Sequence, residues 1–195
     1  TEEYNGSSWS AGGALISGAR YLGGAGLQDA ALRAAGYNGS SYVTCTEEYN
    51  GSSWATGGAT INAKATMGMA GLQDAGLMFG GEPSQSTSEE YDGSTWSAGN
   101  ALITAVVGNS GVGTQNAALS IGGYTPTVVA TVEQYNGTSW TAANGNLITA
   151  RRFTTSFGSQ NSALNTTGAT PTKVACTEFF DGIAWTTHTA SPAIV

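Results

Sequence analysis

A chain of 195 residues is long enough to bury a core of its own. Thirteen acidic side chains against six basic ones leave a net charge of −7, which argues against nucleic acid or an anionic membrane as a partner, because both demand basic patches. Charge is sparse and Gly is abundant, but five Trp and eight Tyr argue against disorder, and neither a secretory leader nor an apolar run of membrane-spanning length is visible.

The first predicted element is a hairpin in TEEYNGSSW (Thr1–Trp9), where Asn-Gly between aromatic residues suits the positive φ angles of a type I′ turn. Next comes GLQDAALRAAGY (Gly26–Tyr37), in which a polar Gln-Asp pair separates two small-apolar strands. The loop YNGSSYVT (Tyr37–Thr44) leads into TEEYNGSSW again at Thr46–Trp54, unchanged. The order then repeats: GLQDAGLMFGG (Gly71–Gly81), the loop EPSQST (Glu82–Thr87) and SEEYDGSTW (Ser88–Trp96). GTQNAALSIGG (Gly113–Gly123), YTPTVVA (Tyr124–Ala130) and VEQYNGTSW (Val132–Trp140) form the third round. GSQNSALNTTGA (Gly158–Ala169), ATPTKVA (Ala169–Ala175) and TEFFDGIAW (Thr177–Trp185) form the fourth.

The aromatic phrases start at 1, 46, 88, 132 and 177, and a fixed period of about 44 residues marks a repeat architecture. Two hairpins per period predict an all-β chain of four-stranded antiparallel units, that is, a β-propeller with one blade per repeat over residues 1–195. Nothing in the chain has a helical period. Four inner hairpins and the near absence of bulk in LGGAGLQ, MGMAGLQ and NSGVGTQ favour four blades, with five as the alternative and one outer hairpin to spare.

The order of small-apolar hairpin, Gly-Gly, variable loop, Glu-x-Tyr-Asn/Asp-Gly and Trp resembles the kelch repeat. Gly80-Gly81 and Gly122-Gly123 match its Gly pair, Tyr4, Tyr49, Tyr91, Tyr135 and Phe179 its aromatic, and the five tryptophans its Trp. The phrasing is also similar to repeats in virion structural and tail proteins of marine bacteriophages. The phage resemblance implies a virion or extracellular setting, and the kelch resemblance implies loops that line one open face.

Trp9, Trp54, Trp96, Trp140 and Trp185 are expected as packing between blades rather than as sugar platforms. Glu2, Glu47, Glu89, Glu133 and Glu178 share one slot, and Arg20, Lys64 and Arg151 follow three of the tryptophans by ten or eleven residues, so ion pairs are expected. Adjacent carboxylates such as Glu2-Glu3 face opposite sides of a strand and cannot converge as an acid–base pair. The Gln-Asp and Gln-Asn pairs read as turns, with four weak sites for a sugar or Ca²⁺ as the sharper alternative; no cofactor is otherwise called for. Cys45 and Cys176 sit at equivalent places in separate repeats and are expected as buried free thiols.

A single His, His188, rules out a repeated His triad or a multi-His metal site, and no nucleotide fingerprint appears, so an enzyme is not expected. Frame residues repeat while the loops diverge, which points to the loops as contacts: Tyr37, Tyr42, Glu82, Gln85, Tyr124 and Lys173. The expected function is a binding or adhesion module for a surface glycan or host receptor on a phage particle. The alternative is a structural module that engages neighbouring virion subunits.

Overall fold

The computed structural model describes residues 1–83 and 86–188. It is all-β: four four-stranded antiparallel sheets form a four-bladed β-propeller, preceded by one two-stranded hairpin. That hairpin, β1 (Glu2–Tyr4) and β2 (Trp9–Ala11), is a half-blade. Blade I holds β3 (Gly23–Leu27), β4 (Ala30–Ala34), β5 (Thr46–Tyr49) and β6 (Trp54–Thr56). Blade II holds β7 (Gly68–Leu72), β8 (Ala75–Phe79), β9 (Ser88–Tyr91) and β10 (Trp96–Gly99). Blade III holds β11 (Ser110–Thr114), β12 (Ala117–Tyr124), β13 (Val128–Tyr135) and β14 (Trp140–Ala142). Blade IV holds β15 (Thr155–Ser159), β16 (Ser162–Thr166), β17 (Thr177–Phe180) and β18 (Trp185–His188). In every blade the small-apolar hairpin lies innermost and the aromatic hairpin outermost, as the order of the two phrases predicts.

The turn chemistry is local. Asn50 Oδ1 accepts the backbone N–H of Ser52 and of Ser53, both at 3.0 Å, and Asn5, Asp92, Asn136 and Asp181 repeat the device. Asp92 and Asp181 are thereby held below the usual carboxylate range. Near the axis the backbones approach closely, and a Cβ added at Gly111 would stand 2.3 Å from the Met69 carbonyl oxygen.

Each core lies between two blades. Leu32 and Ala34 of blade I meet Met69, Tyr91 and Trp96 of blade II. Leu77 and Phe79 meet Tyr135 and Trp140, and Leu119 and Ile121 meet Phe180 and Trp185. Trp96, Trp140 and Trp185 are buried, Trp54 is half-buried, and Trp9 on the half-blade is 68% exposed. Phe180, not Phe179, takes the aromatic slot: it lies opposite Trp185 and stacks on it with ring centroids 5.1 Å apart.

Polar bonds tie the same seams. Tyr91 Oη donates to Glu48 Oε1 and Tyr135 Oη to Glu90 Oε1, each at 2.5 Å, and Tyr49 Oη donates to Glu3 on the half-blade. The repeated turn glutamines also reach backwards across seams. Gln73 Nε2 donates to the carbonyls of Ala31 (3.0 Å) and Tyr49 (2.6 Å), Gln115 to those of Gly76 and Tyr91, and Gln160 to those of Ala118 and Tyr135. These three side chains are inter-blade clamps, a role beyond satisfying their own turns.

The buried glutamates fasten the connections between blades. Glu47 accepts the N–H of Ile16 and Ser17, Glu89 those of Ile61 and Asn62, Glu133 those of Ile103 and Thr104, and Glu178 those of Ile148 and Thr149. Glu2, on the half-blade, is exposed. Lys64 pairs with Glu89 at 3.7 Å and Arg151 with Glu178, but the partner of Glu47 is Arg33 of β4, at 3.8 Å, rather than Arg20. Arg20 is one residue out of register: its β-bridge to Tyr37 aligns it with Arg152, not Arg151. Burial pushes the Lys64 ammonium and the Arg151 guanidinium below their usual ranges. Cys45 and Cys176 are free thiols, but half-buried rather than buried.

Candidate functional site

The two tight turns of each blade share one end of the propeller, where Asp29 abuts Gly51 and Asp74 abuts Gly93. The connections between blades and the long loops after each second strand share the other end. There the two meet through matching β-bridges: Arg20 with Tyr37, Ala65 with Glu82, Val107 with Tyr124 and Arg152 with Ala169. Tyr37, Glu82, Tyr124 and Ala169 therefore occupy one slot in four blades, filled by tyrosine twice, by glutamate and by alanine, while the frame beneath them repeats.

Loop 37–44 folds as a miniature of the repeated hairpin. Asn38 Oδ1 accepts the N–H of Ser40 and Ser41 at 2.9 Å each, so that Tyr37 and Tyr42 pair across the turn with ring centroids 5.6 Å apart. Tyr42 Oη then donates to Glu82 Oε2 at 2.9 Å, a bond that raises the phenol above its usual range. Beside this pair lies a cavity of about 460 Å³ whose wall includes Tyr42, Glu82, Tyr124, Arg152 and Phe153. The Arg152 guanidinium carbon sits 4.7 Å from the Tyr124 ring centre and 5.1 Å from that of Phe153, and its buried Nε has no hydrogen-bond partner.

Of the loop residues expected from sequence, Tyr42, Glu82 and Tyr124 come together at this cavity, and Tyr37 supports it through Tyr42. Lys173 is exposed on the blade IV loop, bridged to Ala169, and does not line the cavity. Gln85 lies outside the described residues. Sequence reasoning passed over Arg152 and Phe153. The available signal was the Arg151-Arg152 doublet: neighbours in an extended chain point to opposite sides, so one arginine entered the core and the other faced out.

The electrostatics of this face differ from those of the rest of the chain. Arg33, Lys64 and Arg151 are buried in ion pairs, and the remaining cations, Arg20, Arg152 and Lys173, all lie at the loop end. Arg20 stacks over Tyr21 and Tyr37 at 5.4 and 5.1 Å. The wall thus offers aromatic faces, a cation with free donors and a carboxylate, which together can stack on a ring and hydrogen-bond its substituents.

No protein-family model matches the chain, and no curated protein is similar to it. The class it belongs to is the one its architecture defines, a four-bladed β-propeller.

Proposed function

We propose that this propeller is a non-enzymatic binding module whose loop face recognises a surface carbohydrate or glycosylated host receptor. The observation that carries the reading is the convergence of Tyr42, Tyr124, Phe153, Glu82 and Arg152 on one shallow cavity. Tyrosine supplies large, rigid, amphipathic contact area, and Glu82 and Arg152 supply an acceptor and donors for hydroxyls. The repeated carboxylates Glu47, Glu89, Glu133 and Glu178 are consumed by backbone amides, which supports a binding rather than a catalytic role. The kelch-like order of the repeat and its similarity to phage tail repeats support a place on the exterior of a virion.

The test is a glycan array probed with the multimerised protein, including bacterial surface polysaccharides, with and without Ca²⁺. Competable binding that falls about tenfold in Tyr124→Ala and in Arg152→Ala, with both variants still folded, is the expected result. Absence of any hit, or a hit indifferent to both substitutions, overturns the reading. A second reading, a structural module that joins virion subunits, is favoured by the incompletely paired half-blade.

A further inference from the structure

Three seams of the propeller carry aromatic packing and a glutamine clamp, the first two a tyrosine–glutamate bond as well, and the place where a fourth would form carries half of this set. The half-blade sits against blade I as blade I sits against blade II: Glu3 meets Tyr49 as Glu48 meets Tyr91, and Glu47 holds the connection at Ile16 and Ser17. The other half of the set is open. The Gln28 side chain is exposed and bonds to nothing among the described residues, although Gln73, Gln115 and Gln160 each clamp two carbonyls of the preceding blade. Among the described residues the inner edge of β1 has no partner strand, whereas β5, β9, β13 and β17 each have one.

Blade IV shows the same gap from its own side. Phe157 is 59% exposed while its counterparts Ala70 and Val112 are 5% exposed, and Leu164 is half-buried while Leu32, Leu77 and Leu119 are sealed. At the loop end, Thr66, Gly108 and Phe153 donate backbone N–H groups to the carbonyls of Tyr21, Thr66 and Gly108 in turn. Among the described residues no bond from Tyr21 N to Phe153 O closes that collar. A cavity of about 620 Å³ runs from the axis, where Phe157 and Ala25 face it, out to Thr1 and Trp54.

We propose that this groove is a docking site for one β-hairpin of the chain's own inner type, G-x-Q-[D/N]-[A/S]-[A/G]-L, which turns the half-blade into a fifth four-stranded blade. The occupant follows from continuity with the three filled seams. Its second strand pairs with β1 in the register β4 adopts on β5, and its carbonyl opposite Tyr4 joins the Tyr4 carbonyl in accepting Gln28. Its small side chains admit Phe157 and Leu164, as Ala163 stands against Leu119 in the third seam. An arginine in the Arg33 slot falls opposite Glu2, as Arg33 does opposite Glu47. The exposed aromatics Tyr4, Trp9 and Phe157 are then covered together. The inference stands apart from the carbohydrate reading, since of the residues named for it only Phe153, used here through its backbone, lines the loop cavity.

An isolated hairpin is at best marginally ordered in water, so the hairpin is supplied by fusion at high effective concentration. Residues 23–45 lead directly into Thr46–Trp54, which is identical to Thr1–Trp9, so a second copy of residues 23–45 is joined ahead of Thr1 of the full chain. The control carries the same insertion with its first twelve residues scrambled. The expected result is a Tm roughly 5 °C or more above the control, with much of that gain lost in Gln28→Ala. Equal melting of fusion and control, or a gain untouched by Gln28→Ala, overturns the proposal. So does sedimentation of the unfused chain as a dimer that the fusion leaves intact, because a second copy would then cover the groove.

Discussion

Where blade II meets blade III, Trp140 is buried, Tyr135 is bonded to Glu90, and Gln115 clamps two carbonyls. Where the half-blade faces blade IV, Trp9 and Tyr4 hold the same slots in the repeat and lie in the solvent. The two regions are written in nearly the same letters. What differs is the neighbour, so the repeat does not stabilise itself; each blade is held by the next, as in other one-dimensional arrays.

The largest expected difference between these regions is electrostatic. Glu89→Ala strands the Lys64 ammonium in the first seam and is expected to cost about 3–5 kcal/mol. Glu2→Ala, in the same slot of the half-blade, is expected to stay within about 0.5 kcal/mol. Denaturant unfolding of the two variants measures the contrast, and similar losses would show that the slot acts within a blade rather than between blades.

The chain has already carried out the next substitution. Where Tyr49, Tyr91 and Tyr135 stand opposite Glu3, Glu48 and Glu90, the third seam has Phe180 for the tyrosine and Gln134 for the glutamate. Tyr135→Phe alone leaves the Glu90 carboxylate short of its donor and is expected to cost about 1–3 kcal/mol. Adding Glu90→Gln is expected to recover most of that loss, and a double-mutant cycle reads the coupling.

These phenols also set an alkaline limit. Burial, with the bond to Glu48 second, pushes Tyr91 up to about 12, and burial together with Glu90 raises Tyr135. The unfolded chain gives up these protons first, near pH 10, so their contribution is complete below that and is lost as pH rises toward about 12. Stability followed from pH 9 to 12 should fall less steeply in the Glu90→Gln, Tyr135→Phe pair; an identical slope would exclude Tyr135 as a source.

The smallest contrast is between two glutamines. Gln115→Ala removes two inter-blade bonds and is expected to cost about 1–2 kcal/mol, while Gln28→Ala in the unaltered chain is expected to cost almost nothing. Equal effects would mean that the glutamines act on their own turns.

The blades were legible because turn chemistry and strand period are local: Asn-Gly, Gln-Asp and the return of Trp every repeat fix strand number and order. The clamps were not legible, because Gln73 bonds the carbonyl of Ala31, 42 residues earlier, and a backbone acceptor leaves no mark on its side chain. One-residue offsets were equally opaque, which is why Arg20 read as an ion-pair partner and Phe179 as the stacking aromatic. The loop cavity was half legible: divergence marked Tyr42, Glu82 and Tyr124, but Arg152 and Phe153 arrive from the opposite side of a β-bridge.

The identity of Thr1–Trp9 and Thr46–Trp54 reaches beyond the finished structure. The outer edge of β4 accepts Thr46–Tyr49, yet Thr1–Tyr4 presents it with the same side chains in the same order. During synthesis the earlier copy emerges first and meets that edge before the later one exists. Side chains cannot arbitrate between them. The shorter loop closed from β4 forward to Thr46 ranks the two pairings, and with it the native register. This protein carries a decoy for its own first blade, displaced by chain connectivity alone.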